Sequence, residues 1–116
     1  KQEWGRILNC SSIGVKFGGG KNSYNYSLSK HCLEFIPNRY KDWANKNVLI
    51  NNIRIGVTRT KIHKRMKKNL QLKHRLKLIP AKRMAKPQEI SSYIVNLVLD
   101  KNSFMTGETI TVAGGE

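Results

Sequence analysis

Apolar and polar positions follow two different periods along the chain, and these periods predict its elements. Short apolar runs predict buried strands at residues 7–10, 47–55 and 109–112. In residues 26–43, apolar side chains recur at intervals of three and four, which predicts an amphipathic helix. Pro37 falls inside this stretch, and an interior proline removes a backbone hydrogen bond. We therefore expect a kink or a break near Ile36.

The remaining stretches predict loops and two further helical segments. Three consecutive glycines at 18–20 predict a flexible loop. Residues 59–78 are basic with scattered apolar positions, which indicates a mobile helical segment, and Pro87 stands where a last helix would begin. The order strand, helix, strand, helix, helix, strand predicts an α/β fold in which helices flank a parallel sheet. We expect residues 1–116 to form a single domain.

Charge changes this picture more than any other compositional property. The 116 residues include 22 Lys and Arg against 7 Asp and Glu, a formal net charge of +15, and no acidic residue lies between Asp42 and Glu89. Such a field favours anionic partners, although a lysine-rich solvated face would give the same composition. No apolar run is long enough for a membrane span, and no signal peptide is visible, so we expect a cytoplasmic protein without a membrane partner.

The two cysteines, Cys10 and Cys32, stand in apolar sequence surroundings. This favours reduced, packed thiols over a disulfide framework. Neither cysteine has a second Cys or a His at the spacing of a zinc site. The sequence therefore predicts no bound metal.

Two groups of residues before and within the first predicted helix carry candidate chemistry. Tyr26 and Lys30 stand at i and i+4, so they share one helix face, and a nearby ammonium lowers the pKa of a phenol. Ser11 and Ser12 follow a strand, where open α/β sheets bind ligands, and a hydroxyl there can donate to a substrate oxygen. Each group also has an ordinary explanation: a packed tyrosine beside a solvated lysine, and a serine that caps a turn.

A third group follows the second strand, from Gly56 through Thr58 to Thr60. A glycine lets the backbone approach a flat ligand closely, and a threonine hydroxyl can reach a phosphate or an amide. A simple loop is the alternative interpretation. Each of the three groups is weak evidence when it is considered alone.

Taken together, five blocks of sequence resemble the short-chain dehydrogenase/reductase family, and they occur in the family's order along nearly the whole chain. The blocks are Gly5-Arg6-Ile7-Leu8-Asn9-Cys10-Ser11-Ser12, Tyr26-Ser27-Leu28-Ser29-Lys30, residues 51–60, residues 82–90 and residues 104–115. The second block matches the family's Tyr-x-x-x-Lys signature. The resemblance implies the catalytic, C-terminal half of a Rossmann-like doubly wound fold that lacks its N-terminal strands, since no Gly-x-x-x-Gly-x-Gly precedes the first block.

The resemblance also implies a reaction and roles for residues. It implies an oxidoreductase that reduces a carbonyl or oxidises an alcohol with NAD or NADP, in which Tyr26 is the acid/base and Ser12 binds the substrate oxygen. Lys30 would lower the pKa of Tyr26 and, with it, hold the nicotinamide ribose. Gly56, Thr58 and Thr60 would lie against the nicotinamide end of the cofactor.

By the same resemblance, the basic segment 59–77 falls where the family has its mobile substrate lid. We expect it to recruit an anionic substrate, such as a nucleotide-sugar or a carrier-linked acyl group, through residues that include Lys67 and Lys68. The family commonly pairs its subunits through the helix that carries the tyrosine. The resemblance therefore implies a homo-oligomer that packs through residues 26–43.

Two rival interpretations use the same residues differently. A basic, non-catalytic module could bind nucleic acid or an acidic partner, but residues 59–83 contain no aromatic side chain and no nucleic-acid-binding motif is evident. A non-catalytic scaffold that dimerises through the 26–43 helix is the other alternative. Nucleic acid is therefore an unlikely partner, and a small carbonyl or alcohol is the expected one.

Overall fold

A parallel sheet of three strands forms the centre of the protein. The structure is a computed structural model that describes residues 3–61 and 70–116. The strands are β1 (Gly5–Ser12), β2 (Val48–Ile55) and β3 (Thr109–Val112), in the order β1-β2-β3 with both pairs parallel. The prediction of a parallel α/β arrangement is confirmed, and β1 is two residues longer at each end than its apolar run.

Helices and loops connect the strands, and the predicted helix over 26–43 is two shorter helices. The described helices are a 3₁₀ helix (Ile13–Phe17), α1 (Tyr24–Cys32), α2 (Tyr40–Ala44), α3 (Leu70–Leu78) and α4 (Pro87–Val98). Residues 33–39, which include Pro37, separate α1 from α2. Proline has no N–H to donate and its ring clashes with the preceding turn, so the expected break near Ile36 is confirmed.

The core lies around β2, which is the central strand. Leu49, Ile50 and Ile53 of β2 are buried, together with Ile79 and Ile90 from the later part of the chain. Hydrogen bonds link the two faces of β1 to different helical regions. Ser11 bonds to Glu34, which follows α1, whereas Arg6 Nε donates to the carbonyl of Asn102, which follows α4, at 2.8 Å. Helices therefore flank the sheet on its two sides.

Two asparagines of β2 are as deeply buried as the isoleucines, and the side-chain amides of both are hydrogen-bonded. Asn51 donates to the carbonyl of Met105 at 2.8 Å and accepts from the N–H of Glu108 at 3.1 Å. Asn52 donates to the carbonyl of Glu34 at 2.9 Å and to Thr109 Oγ1 at 3.0 Å. Hydrogen-bonded amides of this kind are tolerated in a core because no polar atom is left without a partner.

The first strand is more exposed than its sequence predicts. In the described sheet β1 lies at the edge, and Ile7 is 41% exposed. The prediction that Cys10 and Cys32 are packed is wrong, because both thiols are exposed; neither forms a disulfide. In the described sheet β1 pairs on one side only, which leaves the flank of its side chains open and explains the exposure of Cys10.

The glycine-rich stretch forms defined backbone hydrogen bonds, and its flexibility stays a prediction. Residues that were expected to be a flexible loop follow the 3₁₀ helix and close it with backbone bonds from Gly18 to Val15, at 3.2 Å, and from Gly19 to Gly14, at 3.3 Å. Gly18 and Gly19 have φ of 68° and 79°. Left-handed backbone of this kind favours glycine.

Helix α4 begins at Pro87, as predicted, and a carboxylate anchors its first turn. Glu89 accepts from the backbone N–H of Lys86 at 2.7 Å and from both terminal nitrogens of Arg83 at 2.7 Å. The hydrogen bonds from Arg83, and then the one from Lys86, lower the pKa of Glu89 from 4.5 to about 2. This carboxylate therefore stays charged well into the acid range.

We expect Glu89→Gln to lower the melting temperature at pH 7 and to have a shrinking effect as the pH falls from 4.5 towards 2. A lowered folded-state pKa gives stability that is complete above the unfolded pKa and lost as the pH falls through the folded one. Thermal unfolding of both proteins across this range measures the difference. Arg83→Met removes the same pair and should show the same convergence; a difference that does not change with pH would contradict the assignment.

Of the predicted lid segment, residues 59–61 and 70–77 are described, and the second of these stretches belongs to α3. There Arg75 lies between two other parts of the chain: Nη2 is 2.7 Å from Glu116 Oε1, and the guanidinium carbon is 5.2 Å from the centre of the Phe17 ring. Lys67 and Lys68 lie outside the described residues. Among the described helices, none has the length and apolar character needed to cross a membrane.

Candidate active site

The carboxyl ends of the three strands meet at one edge of the sheet. The register pairs Ser12 with Ile55 and Ile55 with Val112, so the loops after the strands start side by side. Ligands of open α/β sheets bind outside this edge. The three groups singled out in the sequence all start from this edge or lie next to it.

Ser12 ends β1 and caps the 3₁₀ helix that follows. Its Oγ accepts a hydrogen bond from the N–H of Gly14 at 3.1 Å. The alternative of a turn-capping serine is therefore correct, but it does not compete with the functional one. A hydroxyl that accepts through a lone pair keeps its own proton for donation, so Ser12 can cap the turn and still donate to a substrate oxygen.

The loop after Ser12 is fastened to the start of α1 through Gly14 and Ser27. Ser27 Oγ donates to the carbonyl of Gly14 at 3.4 Å, and Ser27 is buried. A Cβ on Gly19 would lie 2.7 Å from Ser27 Oγ, so glycine is needed where the loop turns back to the helix. This contact brings Tyr26, the neighbour of Ser27, next to the loop that Ser12 caps.

Tyr26 and Lys30 both lie on α1, as predicted, with the ring of Tyr26 about half exposed. Lys30 Nζ donates to the carbonyl of Cys10 at 3.1 Å, which holds the ammonium against β1 two residues before Ser12. The structure thus brings Lys30 to the end of the strand of Ser12. The effect of Lys30 on Tyr26 stays a prediction.

Gly56 needs to be glycine for a different reason from the one predicted. Its N–H donates to the carbonyl of Val112 at 2.9 Å, and a Cβ at this position would lie 2.6 Å from Ala113 Cα. The close approach is therefore between two backbones of the protein itself. Contact of Gly56 with a cofactor stays a prediction.

Thr58 is held by a short parallel bridge to Ala85. The bridge uses the N–H of Arg59 and the carbonyl of Val57, both bonded to Ala85 at 2.9 Å, and so does not use the peptide groups of Thr58 itself. Thr58 Oγ1 donates to the carbonyl of Gly56 at 3.0 Å, whereas Thr60 is exposed. One donor and one acceptor on adjacent peptides match the two polar groups of a carboxamide.

A part-buried ion pair next to the site was missed by the sequence analysis. Glu34 and Arg54 form two hydrogen bonds, of 2.8 and 2.6 Å, and Ser11 Oγ donates to the same carboxylate at 2.7 Å. The bonds from Arg54 lower the pKa of Glu34, although burial opposes them. A sequence signal existed: one acid and one base interrupt two otherwise apolar or amide-rich stretches.

One cleft lies away from the serine, the tyrosine and the lysine. It has a volume of about 340 Å³ and runs between α4 and the end of β3. Of the three groups singled out in the sequence, its wall includes only Gly56 and Val57, and the other lining residues include Ile90, Tyr93 and Ala113. We place the candidate site at Ser12, Tyr26 and Lys30, because Lys30 bonds to the strand of Ser12 and Tyr26 lies on the helix of Lys30.

The chain is similar to known reductases over nearly its whole length. The family model described as enoyl-(acyl carrier protein) reductase matches residues 1–116. The 3-oxoacyl-[acyl-carrier-protein] reductase FabG of Aquifex aeolicus is 35% identical over 116 residues, which are 99% of this chain and 46% of that protein. The acetoacetyl-CoA reductase of an Acinetobacter strain is 33% identical over 117 residues, again 99% of this chain and 46% of that protein.

A solved structure shows the same fold. The 3-oxoacyl (acyl-carrier-protein) reductase of Agrobacterium tumefaciens, crystallised with NADP bound, superposes with a TM-score of 0.78 at 26% identity, over 98% of this chain and 45% of that one. The chain thus spans about half the length of the relatives it matches. The predicted fold class, part of a Rossmann-like doubly wound fold, is confirmed.

Proposed function

Because this chain belongs to the short-chain dehydrogenase/reductase family, we propose that it is the catalytic half of an NAD(P)-dependent reductase of 3-oxoacyl thioesters. The observation that carries the proposal is the match over the whole chain to reductases of such thioesters. The placement of Lys30 against the strand of Ser12 supports it. The name of a relative gives the substrate class, and the chain's own residues give the chemistry.

Three side chains would share the proton chemistry of carbonyl reduction. Ser12 donates its free hydroxyl proton to the substrate oxygen and stabilises the negative charge that builds there. The phenol of Tyr26 gives its proton to the same oxygen as the alcohol forms. The ammonium of Lys30 favours the phenolate left on Tyr26, which makes that proton easier to release.

The residues of the candidate site fit the nicotinamide end of NAD or NADP. The peptide groups of Thr58 offer a donor and an acceptor outside the Ala85 bridge, and the hydroxyl of Thr60 lies on the exposed continuation of the same loop. Gly56 starts this loop. When bound, the cofactor supplies the hydride, while Lys30 and Tyr26 would hold its ribose hydroxyls and keep it beside the substrate carbonyl.

The basic charge of the chain supports an acyl group carried on an acidic partner. A formal net charge of +15 attracts anions at long range. The phosphate groups of coenzyme A and the acidic surface of a carrier protein are both anionic. The names of the relatives given above mention coenzyme A and acyl carrier protein, and none of them mentions a nucleotide-sugar. We therefore favour the carrier-linked acyl group of the two anionic substrates that were expected.

The test is turnover by the natural full-length protein. With NADPH or NADH and acetoacetyl-CoA, absorbance at 340 nm should fall, and the product should be 3-hydroxybutyryl-CoA. No turnover with either cofactor, together with salt-dependent retardation of duplex DNA at the same protein concentration, would favour the basic binding module instead.

Reversing two charges of the predicted lid should affect anionic substrates selectively. We expect the double variant Lys67→Glu/Lys68→Glu to raise KM for acetoacetyl-CoA about threefold to tenfold at low salt, because it weakens long-range attraction. KM for a small neutral 3-oxo ester should change little. The comparison of the two substrates at low and high salt is the measurement, and equal changes in both KM values would count against the electrostatic role.

Pairing of subunits through residues 26–43 is part of the same proposal. Leu28, Leu33 and Phe35 are exposed along this segment, and Phe35 is 75% exposed. A second copy that covers them would remove apolar surface from water. Light scattering of the natural protein gives the oligomeric state, and Phe35→Glu should then shift it towards the monomer.

A further inference from the structure

One carboxylate joins three parts of the chain next to the candidate site. Glu34 Oε1 accepts from Ser11 Oγ at 2.7 Å and from Arg54 Nε at 2.8 Å, and Oε2 accepts from Arg54 Nη2 at 2.6 Å. The side chain of Glu34 is only 8% exposed and that of Arg54 27%. Ser11 belongs to β1, Arg54 to β2, and Glu34 follows α1. We call Ser11, Glu34 and Arg54 the carboxylate clamp.

The carboxylate clamp reaches Lys30 as well. Ser11 Oγ lies 3.2 Å from the carbonyl oxygen of Lys30, while Lys30 Nζ donates to the carbonyl of Cys10 at 3.1 Å. Two consecutive residues of β1 therefore hold the backbone and the ammonium of the same lysine. The next residue along the strand is Ser12, so a shift of this strand end would move Ser12 and Lys30 relative to each other.

Helix α1 needs an external anchor because it has little to hold it in place by itself. It has nine residues, its N-cap Ser23 makes no side-chain capping bond, and its one buried residue is Ser27. Helices of this length are marginal without tertiary contacts, and Pro37 prevents a longer helix. Ser27 fastens the start of α1 to Gly14, and the carboxylate clamp fastens the segment directly after its end.

The bonds of the clamp belong to a strong class. A two-pronged arginine–carboxylate pair fixes direction as well as distance. When one partner of a buried pair is removed, the other charge remains without compensation, which is more costly than losing the pair's net attraction. The clamp is thus able to hold α1 in one position relative to β1 and β2.

We propose that the carboxylate clamp sets Lys30 and Tyr26 against Ser12, with Glu34 as a positioning residue for the reaction. This inference rests on the proposed function. Glu34 touches neither substrate nor cofactor in this scheme and acts through the helix that it anchors. A misplaced acid lowers the rate of the chemical step far more than it weakens substrate binding.

The test uses Glu34→Gln in the natural full-length protein. Glutamine keeps the size and can still accept from Ser11, but it loses the charge that pairs with Arg54. With NADPH and acetoacetyl-CoA we expect kcat to fall about tenfold to a hundredfold, while KM for acetoacetyl-CoA stays within about twofold. Amide hydrogen exchange in α1 should become faster than in the unsubstituted protein.

Arg6→Met is the matched control at the opposite end of β1. Arg6 donates to the carbonyls of Asn102 and Asn47, each at 2.8 Å, so its loss also destabilises the sheet. We expect a lower melting temperature with unchanged kcat and unchanged exchange in α1. Ser11→Ala keeps the ion pair and removes only its link to β1, and it should lower kcat by less than Glu34→Gln does.

Two results would overturn the inference: a loss of kcat in Glu34→Gln no larger than in Arg6→Met at equal loss of melting temperature, or unchanged exchange in α1. If Glu34→Gln does not fold, Ser11→Ala is judged by the same two readouts. If the unsubstituted protein shows no turnover, the proposed function fails, and hydrogen exchange in Glu34→Gln still decides whether the clamp anchors α1.

Discussion

Replacing Tyr26 by Phe will lower kcat for reduction of acetoacetyl-CoA by about a thousandfold, since general acid catalysis contributes on the order of 10²–10⁴. The ring remains, so only the transferable proton is lost. KM for NADPH should rise modestly, by the loss of one hydrogen bond to the ribose. The melting temperature should hardly change, because Tyr26 is 52% exposed and the loss of its hydroxyl oxygen leaves no buried cavity.

Tyr24→Phe is the control for this change. Tyr24 belongs to the same helix and is 63% exposed, yet it has no lysine four residues on. We expect its kcat to equal that of the unsubstituted enzyme. Full activity in Tyr26→Phe, or the same loss in both variants, would show that Tyr26 is not the acid. Steady-state kinetics at saturating NADPH make the comparison.

Gly56→Ala should lower the stability of the fold strongly, although it adds only one methyl group. The added Cβ would stand 2.6 Å from Ala113 Cα and 2.9 Å from Ala113 Cβ, and neither atom belongs to a flexible side chain. The backbones after β2 and β3 must therefore separate, which also strains the bond from Gly56 to Val112. We expect the free energy of unfolding to fall by about 3 kcal/mol, as measured by urea denaturation.

Gly20→Ala tests whether adding a methyl group to any loop glycine has this effect. A Cβ at Gly20 would find only Ser23 Oγ, at an ordinary 3.7 Å. Its free energy of unfolding should stay within about 0.5 kcal/mol of the parent value. If Gly56→Ala costs no more than Gly20→Ala, the close packing against Ala113 is wrong. Because the Gly56 loop leads to Thr58, the first variant should also bind NADPH more weakly.

The strands were predictable to the extent that their side chains are apolar. The last strand was predicted with its observed bounds, and β2 within one residue, since both are runs of apolar and β-branched residues, interrupted in β2 by two amides and Arg54. The first strand was predicted too short because Gly5, Arg6, Ser11 and Ser12 are not apolar. They are strand residues because they pair with β2, and pairing leaves no period in the sequence.

The helical part shows the opposite limit. The spacing of apolar positions correctly identified residues 26–43 as helical in part, and Pro37 correctly indicated the break. Periodicity could not show that the loop extends from Leu33 to Arg39, because apolar residues continue through it. Nor could it show that Cys10 and Cys32 are exposed, since exposure depends on what packs beside β1 and α1.

At the candidate site, the roles of the predicted residues stay predictions, and the structure describes where these residues lie. Ser12 bonds to the backbone of Gly14 and Lys30 to that of Cys10, and Tyr26 shares the helix of Lys30. The Glu34–Arg54 pair was missed because its partners stand on different elements, far apart in sequence. The reason for Gly56 was missed in the same way, because Ala113 is brought to it only by the pairing of β2 with β3.

The buried amides of β2 have a consequence for how the sheet is put together. If β2 slipped by one residue, Asn51 and Asn52 would each move to the face of the sheet opposite to the one they now occupy. Both would then be separated from their partners Met105, Glu108 and Thr109. Each amide left unsatisfied costs roughly 1–3 kcal/mol, whereas neighbouring leucines and isoleucines would exchange places at little cost. The asparagines therefore favour one register of β2 against its neighbours. A β2 with apolar residues at these two positions would discriminate less between neighbouring registers.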